Sequence, residues 1–320
     1  IVLRTPGNHQ IPGYAKIYLG KWAKRILLLS MFFGIYGALT AYTIGTGEAL
    51  SAIFGLTPFT FSIIFFIIGS IIVLIGLKQV ARFEVIFTSI VLALLYGISI
   101  ATFFSGKFSF DNLVAYNIGS LFLPYGVILF AFIGMAAIPE MKECLIREKK
   151  KLKKSIIYGM LVTILAYSLF ALSVVGVSGN RTTQIASVGL GKVLGSSMIV
   201  FGNLFAIFAM FTSFLTLALA MKESYIYDYK IKPFLAWILT VFLPIIVFLV
   251  GVQNFIKVIA IVGTFAGGID GILIVLMFWK ARKYGTRQPE YRLGKKHLIG
   301  AILILIFLLG ILYKISDLLI

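Results

Sequence analysis

Apolar runs of about twenty residues recur along this chain, separated by short loops, and they leave few folds open to it. Coiled into an α-helix, a run of that length matches the hydrocarbon thickness of a bilayer. Lipid offers no partners to backbone N–H and C=O groups, so helices that satisfy their own hydrogen bonds are the natural spanning element. Nine such runs are read near Arg25–Gly47, Phe59–Leu77, Phe83–Phe104, Leu121–Cys144, Ser155–Val177, Ser196–Met221, Pro233–Gly251, Phe255–Trp279 and Leu298–Ile315. The chain therefore reads as an all-α polytopic membrane protein, with residues 1–320 forming a single transmembrane domain and no soluble domain inserted. Composition agrees, since 60% hydrophobic and 12% charged residues exclude an ordinary soluble domain.

A net charge of +18 looks at first like the mark of a nucleic-acid binder. Its distribution points to a membrane instead. With residues 1–25 placed in the cytoplasm, 24 of the 29 Lys and Arg residues fall on the inside, and inside and outside loops alternate without exception. That is the pattern by which loop charge sets orientation. Nine spans then leave the C-terminus outside, and the expected location is the cell membrane, plasma or inner. The richest inside loops, Lys142–Lys154 and Lys280–Lys296, are expected to rest on anionic lipid headgroups. Membrane lipid is thus an expected partner and nucleic acid is not; the sequence leaves the oligomeric state open.

Enzyme chemistry finds no motif here. HExxH and GxSxG are missing, and the partial phosphate loop at Gly191-Lys192 continues with Val193 and carries Ala186 in place of its first glycine. Cys144, the single cysteine, forms no internal disulfide and has no metal-ligand company. No enzyme activity and no organic cofactor are expected.

The stretch Leu123–Leu145 holds the most informative irregularity. Gly134 is followed five residues later by Pro139 in otherwise apolar sequence, which predicts a helix interrupted between Phe132 and Ile138. Irregular backbone at membrane depth is tolerated where it lines a cavity or is buried in protein, and in transporters such breaks bind substrate and ions. A proline kink is the plainer alternative. Glu140 falls in the first turn beyond the break, either capping that half-helix or handling an ion or proton.

Other polar groups sit inside the spans. Ala209, Thr212, Ser213 and Thr216 share one helix face, as a small-cation site or as hydroxyls bonded to their own backbone. Asn203 lies on the outer side of the same span, on an access path or in packing. Gly263, Gly267 and Gly271 recur every fourth residue and form a flat stripe for close helix approach. Asp270, near mid-span, is a protonatable coupling residue or the buried partner of a hydroxyl. Tyr36, nearest the midplane of the first span, either closes over a substrate or packs.

Four stretches taken together, PGNHQIPGYAKIYLGKW, PYGVILFAFIGMAAIPEM, FGNLFAIFAMFTSFLTLALAMKE and AGGIDGILIVLMFWKARK, resemble the amino acid/auxin and aromatic amino acid permeases of the amino acid–polyamine–organocation superfamily. The resemblance covers essentially the whole chain, in the family's order. It implies a helical bundle of the leucine-transporter type, a 5+5 inverted repeat, with Arg25–Gly47 as its third helix and Leu121–Cys144 as the broken sixth. The family's first two helices, one of them the other broken helix, would then be absent from this sequence. The resemblance further implies a substrate half-site at Phe130, Ala131, Gly134 and Ala136, and a sodium half-site at Ala209, Thr212 and Ser213. Some proton-coupled relatives place a lysine from the fifth helix at that ion site; the matching span Phe83–Phe104 contains none. The expected function is sodium- or proton-coupled symport of an amino acid, neutral or aromatic, by alternating access. A membrane amino-acid sensor using the same pocket is the alternative. Asp270 and Glu140 are the candidates for proton or ion coupling.

Overall fold

A computed structural model describes the chain apart from residues 8, 77–79, 115–121, 184–185, 228, 295 and 320; the side chains of residues 80–85, 140, 187–188, 196 and 227 also lie outside the described set. Thirteen α-helices follow one another: α1 (Ile11–Leu19), α2 (Lys21–Phe54), α3 (Pro58–Ile75), α4 (Val80–Phe103), α5 (Tyr125–Ala131), α6 (Ala137–Cys144), α7 (Leu152–Ser178), α8 (Ala186–Leu194), α9 (Ser196–Tyr227), α10 (Pro233–Leu249), α11 (Phe255–Val262), α12 (Gly268–Tyr284) and α13 (His297–Leu319). No strand occurs among the described residues. Seven helical stretches are long and apolar enough to cross a membrane, counting α11 and α12 as one run, Phe255–Tyr284. The other two predicted spans take shorter forms. Helix α10 has 17 residues, about 25 Å of rise, and Leu121–Cys144 is divided between α5 and α6.

Sequence punctuation accounts for the helix ends. Thr57 caps α3 by accepting from the Thr60 N–H, and Pro58 fills the first turn, where a missing donor costs nothing. Gly76, at φ 104°, stops the same helix. Apolar side chains face outward. Helix α13 buries Gly300 and Gly310 while Leu305, Leu309 and Leu312 stand exposed. Water penalises such a surface and hydrocarbon does not. This is the architecture of a polytopic membrane protein.

Two compact units are distinguished: Ile1–Gly34 with Ile118–Leu161 and Ile259–Ile320, and Ile35–Asn117 with Val162–Val258. In the first, α1 packs on α12 and α13 packs on α12. Its core gathers Val2, Leu3, Tyr14, Ala15, Leu27, Leu152, Met277 and Ala281, with Met135, Ile138 and Met141 against them. The N-terminal segment is held by side chains. Lys142 Nζ donates to the Gly7 carbonyl at 2.5 Å and to the Tyr14 hydroxyl at 3.3 Å, and Arg287 donates to the Leu3 carbonyl at 2.7 Å. Charge counting treats Lys142 as part of a loop on headgroups, yet it is 5% exposed, because the carbonyls of Thr5 and Gly7 offer it closer partners.

In the second unit α9 is central, packed by α3, α4, α8 and α10. Phe214, fully buried, receives the rings of Phe65 and Phe66 edge-on, and Gly69 leaves room for it. Lys222, also buried, donates to the Val73 and Leu74 carbonyls at 2.7 and 3.1 Å. A cation on the last carbonyls of α3 satisfies both the open acceptors and the helix dipole.

Candidate functional site

The predicted interruption is present and shorter than read: α5 ends at Ala131, α6 begins at Ala137, and residues 132–136 are non-helical. Phe132 and Ile133 still donate to carbonyls of the α5 turn, and the N–H groups of Ala137 and Ile138 turn back to the carbonyls of Gly134 and Met135. That leaves the N–H groups of Gly134, Met135 and Ala136 with no protein partner among the described residues. They gather at the start of α6, where the dipole is positive. Pro139, third in α6, has no N–H, and that position needs no intrahelical donor. Phe130 is half-buried, Ala131, Gly134 and Ala136 are exposed, and nothing stands within 4 Å of a Cβ built on Gly134. The break is therefore open, with donors free to meet an anion. Glu140 belongs to the first turn of α6, and its side chain lies outside the described residues.

A second interruption supports the first. Between α11 and α12, residues Gly263–Gly267 form a π-helical segment, a local widening that recurs at functional sites. It packs on α5 at backbone distance. A Cβ on Gly263 would lie 1.9 Å from the Gly126 carbonyl oxygen and 2.7 Å from the Phe130 nitrogen, and one on Gly126 would lie 2.2 Å from the Ala260 oxygen. Gly267 faces Leu129 of the same half-helix and Ile133 of the break, while Gly271 turns to Phe307 of α13. The glycine stripe read from the sequence thus serves two neighbours.

Asp270 follows one turn later and is 3% exposed. Its Oδ1 has no hydrogen-bond partner among the described residues, and the side chain facing it is Ser30 of α2. Ser30, itself buried, donates to the Ala266 carbonyl of the π-segment at 3.3 Å. Gly34, one turn after Ser30, permits the approach, because a Cβ there would sit 3.3 Å from Ala266 Cβ. Ser30 escaped the sequence reading. Its signal was a serine and a glycine at i and i+4 on one face of the first span.

The remaining candidates belong to the other unit. Tyr36 is half-buried, and its hydroxyl meets the Tyr225 hydroxyl at 2.5 Å and the Leu239 carbonyl at 3.0 Å. Thr212 donates back to the Phe208 and Ala209 carbonyls at 3.0 and 3.1 Å. Its oxygen lone pairs stay available to a cation. Ser213 pairs with the Tyr42 hydroxyl. Asn203 is fully buried and donates to Ile199 within its own helix. Among the described residues no three His, Cys, Asp or Glu side chains gather as a metal site.

Residues 1–316 match the tryptophan/tyrosine permease family. The chain belongs to that family. Tyrosine-specific transport system 1 of Haemophilus influenzae is similar to this permease, 29% identical over 324 residues, an alignment covering 93% of the chain and 78% of that protein. Family and relative alike point to an integral membrane transporter of amino acids, not an enzyme.

Proposed function

We propose that this permease is a secondary active transporter of aromatic amino acids, tyrosine foremost, working by alternating access and driven by a sodium or proton gradient. The observation that carries this reading is the open break, whose three N–H groups at the start of α6, unpartnered among the described residues, can donate to an amino-acid carboxylate. The family and the tyrosine transport relative supply the substrate class. On this reading Phe130, Ala131, Gly134 and Ala136 border the substrate, and Ala209, Thr212 and Ser213 offer oxygen ligands for sodium. The bundle is of the leucine-transporter type, with nine spans in this chain forming one transporter domain in the cell membrane. Loop charge supports a cytoplasmic N-terminal segment and an outer C-terminus.

Uptake of labelled tyrosine, tryptophan and phenylalanine into proteoliposomes, with sodium and pH gradients imposed separately, tests the proposal. Accumulation of at least one of them under a cation gradient is expected. Saturable tyrosine binding with no uptake under any gradient would make the protein a sensor instead.

A further inference from the structure

We propose that Asp270, with Ser30 and the Ala266 carbonyl, is where this permease carries a co-transported proton; the inference rests on the transporter reading above. Asp270 is 3% exposed with an unpartnered Oδ1, and no ion pair reaches it among the described residues. An ionised carboxylate in such a place lacks both water and a counter-charge, and the cheapest remedy is a bound proton. Within this unit, titratable groups on the neighbouring elements are Lys21, Lys24 and Arg25 of α2, Tyr14, Lys16 and Tyr18 of α1, Tyr125 of α5, and His297, Tyr313, Lys314 and Asp317 of α13. None of them pairs with Asp270, and Lys314 is engaged with Asp317. Arg282, on the same helix, stands about three turns further on.

The geometry also links the proton to the break. While the carboxyl is protonated, the Ser30 hydroxyl is free to donate to Ala266, tying α2 to the π-segment. When the proton leaves, the carboxylate needs a donor, and Ser30 is the group facing it. Its hydroxyl then turns from the Ala266 carbonyl to Asp270, and the tie is released. The π-segment in turn holds α5 through Gly263 and Gly126, and α5 ends at the break. One proton is taken up by the carboxylate from the outer solution and released unchanged to the cytoplasm, with no covalent bond altered elsewhere.

The test is transport of labelled tyrosine in proteoliposomes by the full protein, the Asp270→Asn, Asp270→Glu and Ser30→Ala variants, each checked for monodispersity in detergent. Wild type should accumulate tyrosine under an inward proton gradient and exchange it without one, with exchange dependent on pH. Asp270→Asn should lose pH-driven accumulation at least tenfold, keep exchange within about threefold, and show a flat pH profile. Ser30→Ala removes a donor to the anion, so its exchange profile should move toward alkaline pH. Gradient-driven accumulation by Asp270→Asn, or wild-type accumulation driven by sodium and indifferent to pH, overturns the assignment. If Asp270→Asn does not fold, Asp270→Glu and Ser30→Ala decide through their pH profiles, and profiles identical to wild type overturn it equally. Wild type that neither accumulates nor exchanges tyrosine counts against the transporter reading itself.

Discussion

Gly263 is the position where one methyl group should do most damage. A Cβ there meets the Gly126 oxygen at 1.9 Å and the Phe130 nitrogen at 2.7 Å, where ordinary contact begins near 3.4 Å. To admit Gly263→Ala, α5 must retreat by roughly 1.5 Å, and the obstructing atoms are backbone, which no rotamer change can clear. Overpacking of well-packed interiors costs about 1–3 kcal/mol, and a backbone obstruction belongs at the upper end. Gly267→Ala is milder, because its Cβ would meet Leu129 Cγ at 2.8 Å and Ile133 Cδ1 at 3.1 Å, the flexible parts of side chains. Gly134→Ala meets nothing within 4 Å. The expected order of destabilisation is Gly263 well above Gly267, with Gly134 near zero. Thermal unfolding in detergent, followed by size-exclusion chromatography of heated samples, should show a drop on the order of 5–10 °C for Gly263→Ala. Equal melting temperatures for Gly263→Ala and Gly134→Ala would refute the claim that the π-segment and α5 touch at backbone distance.

Three further perturbations separate structural from functional roles. Lys142→Met removes a buried cation from the carbonyls of residues 5 and 7; hydrogen bonds from a charged group are worth about 1.5–3 kcal/mol, so amide exchange in α1 should rise roughly tenfold to hundredfold, and unchanged exchange would show that Lys142 is no tether. The Arg287 guanidinium beside Glu290 holds that carboxyl below its ordinary 4.5. A depressed carboxylate stabilises fully above its ordinary value and fades as pH falls through the lower folded one. Proteolysis of the loop between α12 and α13 should therefore accelerate modestly below pH 4.5 in wild type, by no more than about 1 kcal/mol for a partly exposed pair, and Glu290→Gln should be insensitive to pH there. Tyr36→Phe keeps the ring and loses two hydrogen bonds, so a stability loss of about 1–2 kcal/mol with little change in tyrosine KM is expected. A tenfold rise in KM would instead put the hydroxyl on the substrate.

What could be read from sequence was what depends on neighbours along the chain. Run length and Gly–Pro punctuation located the break between Phe132 and Ile138, and the helix ends at Ala131 and resumes at Ala137. The stripe of Gly263, Gly267 and Gly271 likewise announced close approach. The π-segment was not legible, and the contact it makes with Gly126 comes from far earlier in the sequence. Lys142 and Lys222 looked like topology charges, and only the fold shows which open carbonyls they reach. Tyr36 was read either as closing over a substrate or as packing, and only the fold shows that its hydroxyl partners arrive from α9 and α10. Side-chain partners across helices carry no periodic signal, so residue type alone could nominate Asp270 but could not supply Ser30.

The two halves of the broken helix are anchored to different things, and that has a mechanical consequence. Helix α5 is seated on the π-segment through Gly126 and on α13, where Tyr125 lies over Gly310. Helix α6 is tied to the N-terminal segment by Lys142, with Ile138 and Met141 in its core. Between them Gly134, Met135 and Ala136 carry N–H groups without a partner among the described residues, and nothing packs at Gly134. A ligand that recruits those donors stiffens the one joint between two separately braced half-helices, so tyrosine should alter the angle across the break before anything else. Cys144 is exposed and is the single cysteine of the chain, so a spin label there paired with one at Ile128, also exposed, measures that angle without further cysteine removal. Saturating tyrosine should shift or narrow the Ile128–Cys144 distance distribution while leaving Ile128–Ile302, which reports α5 against α13, unchanged when measured in a Cys144→Ser background. A ligand response in the second pair and none in the first would place the moving joint elsewhere.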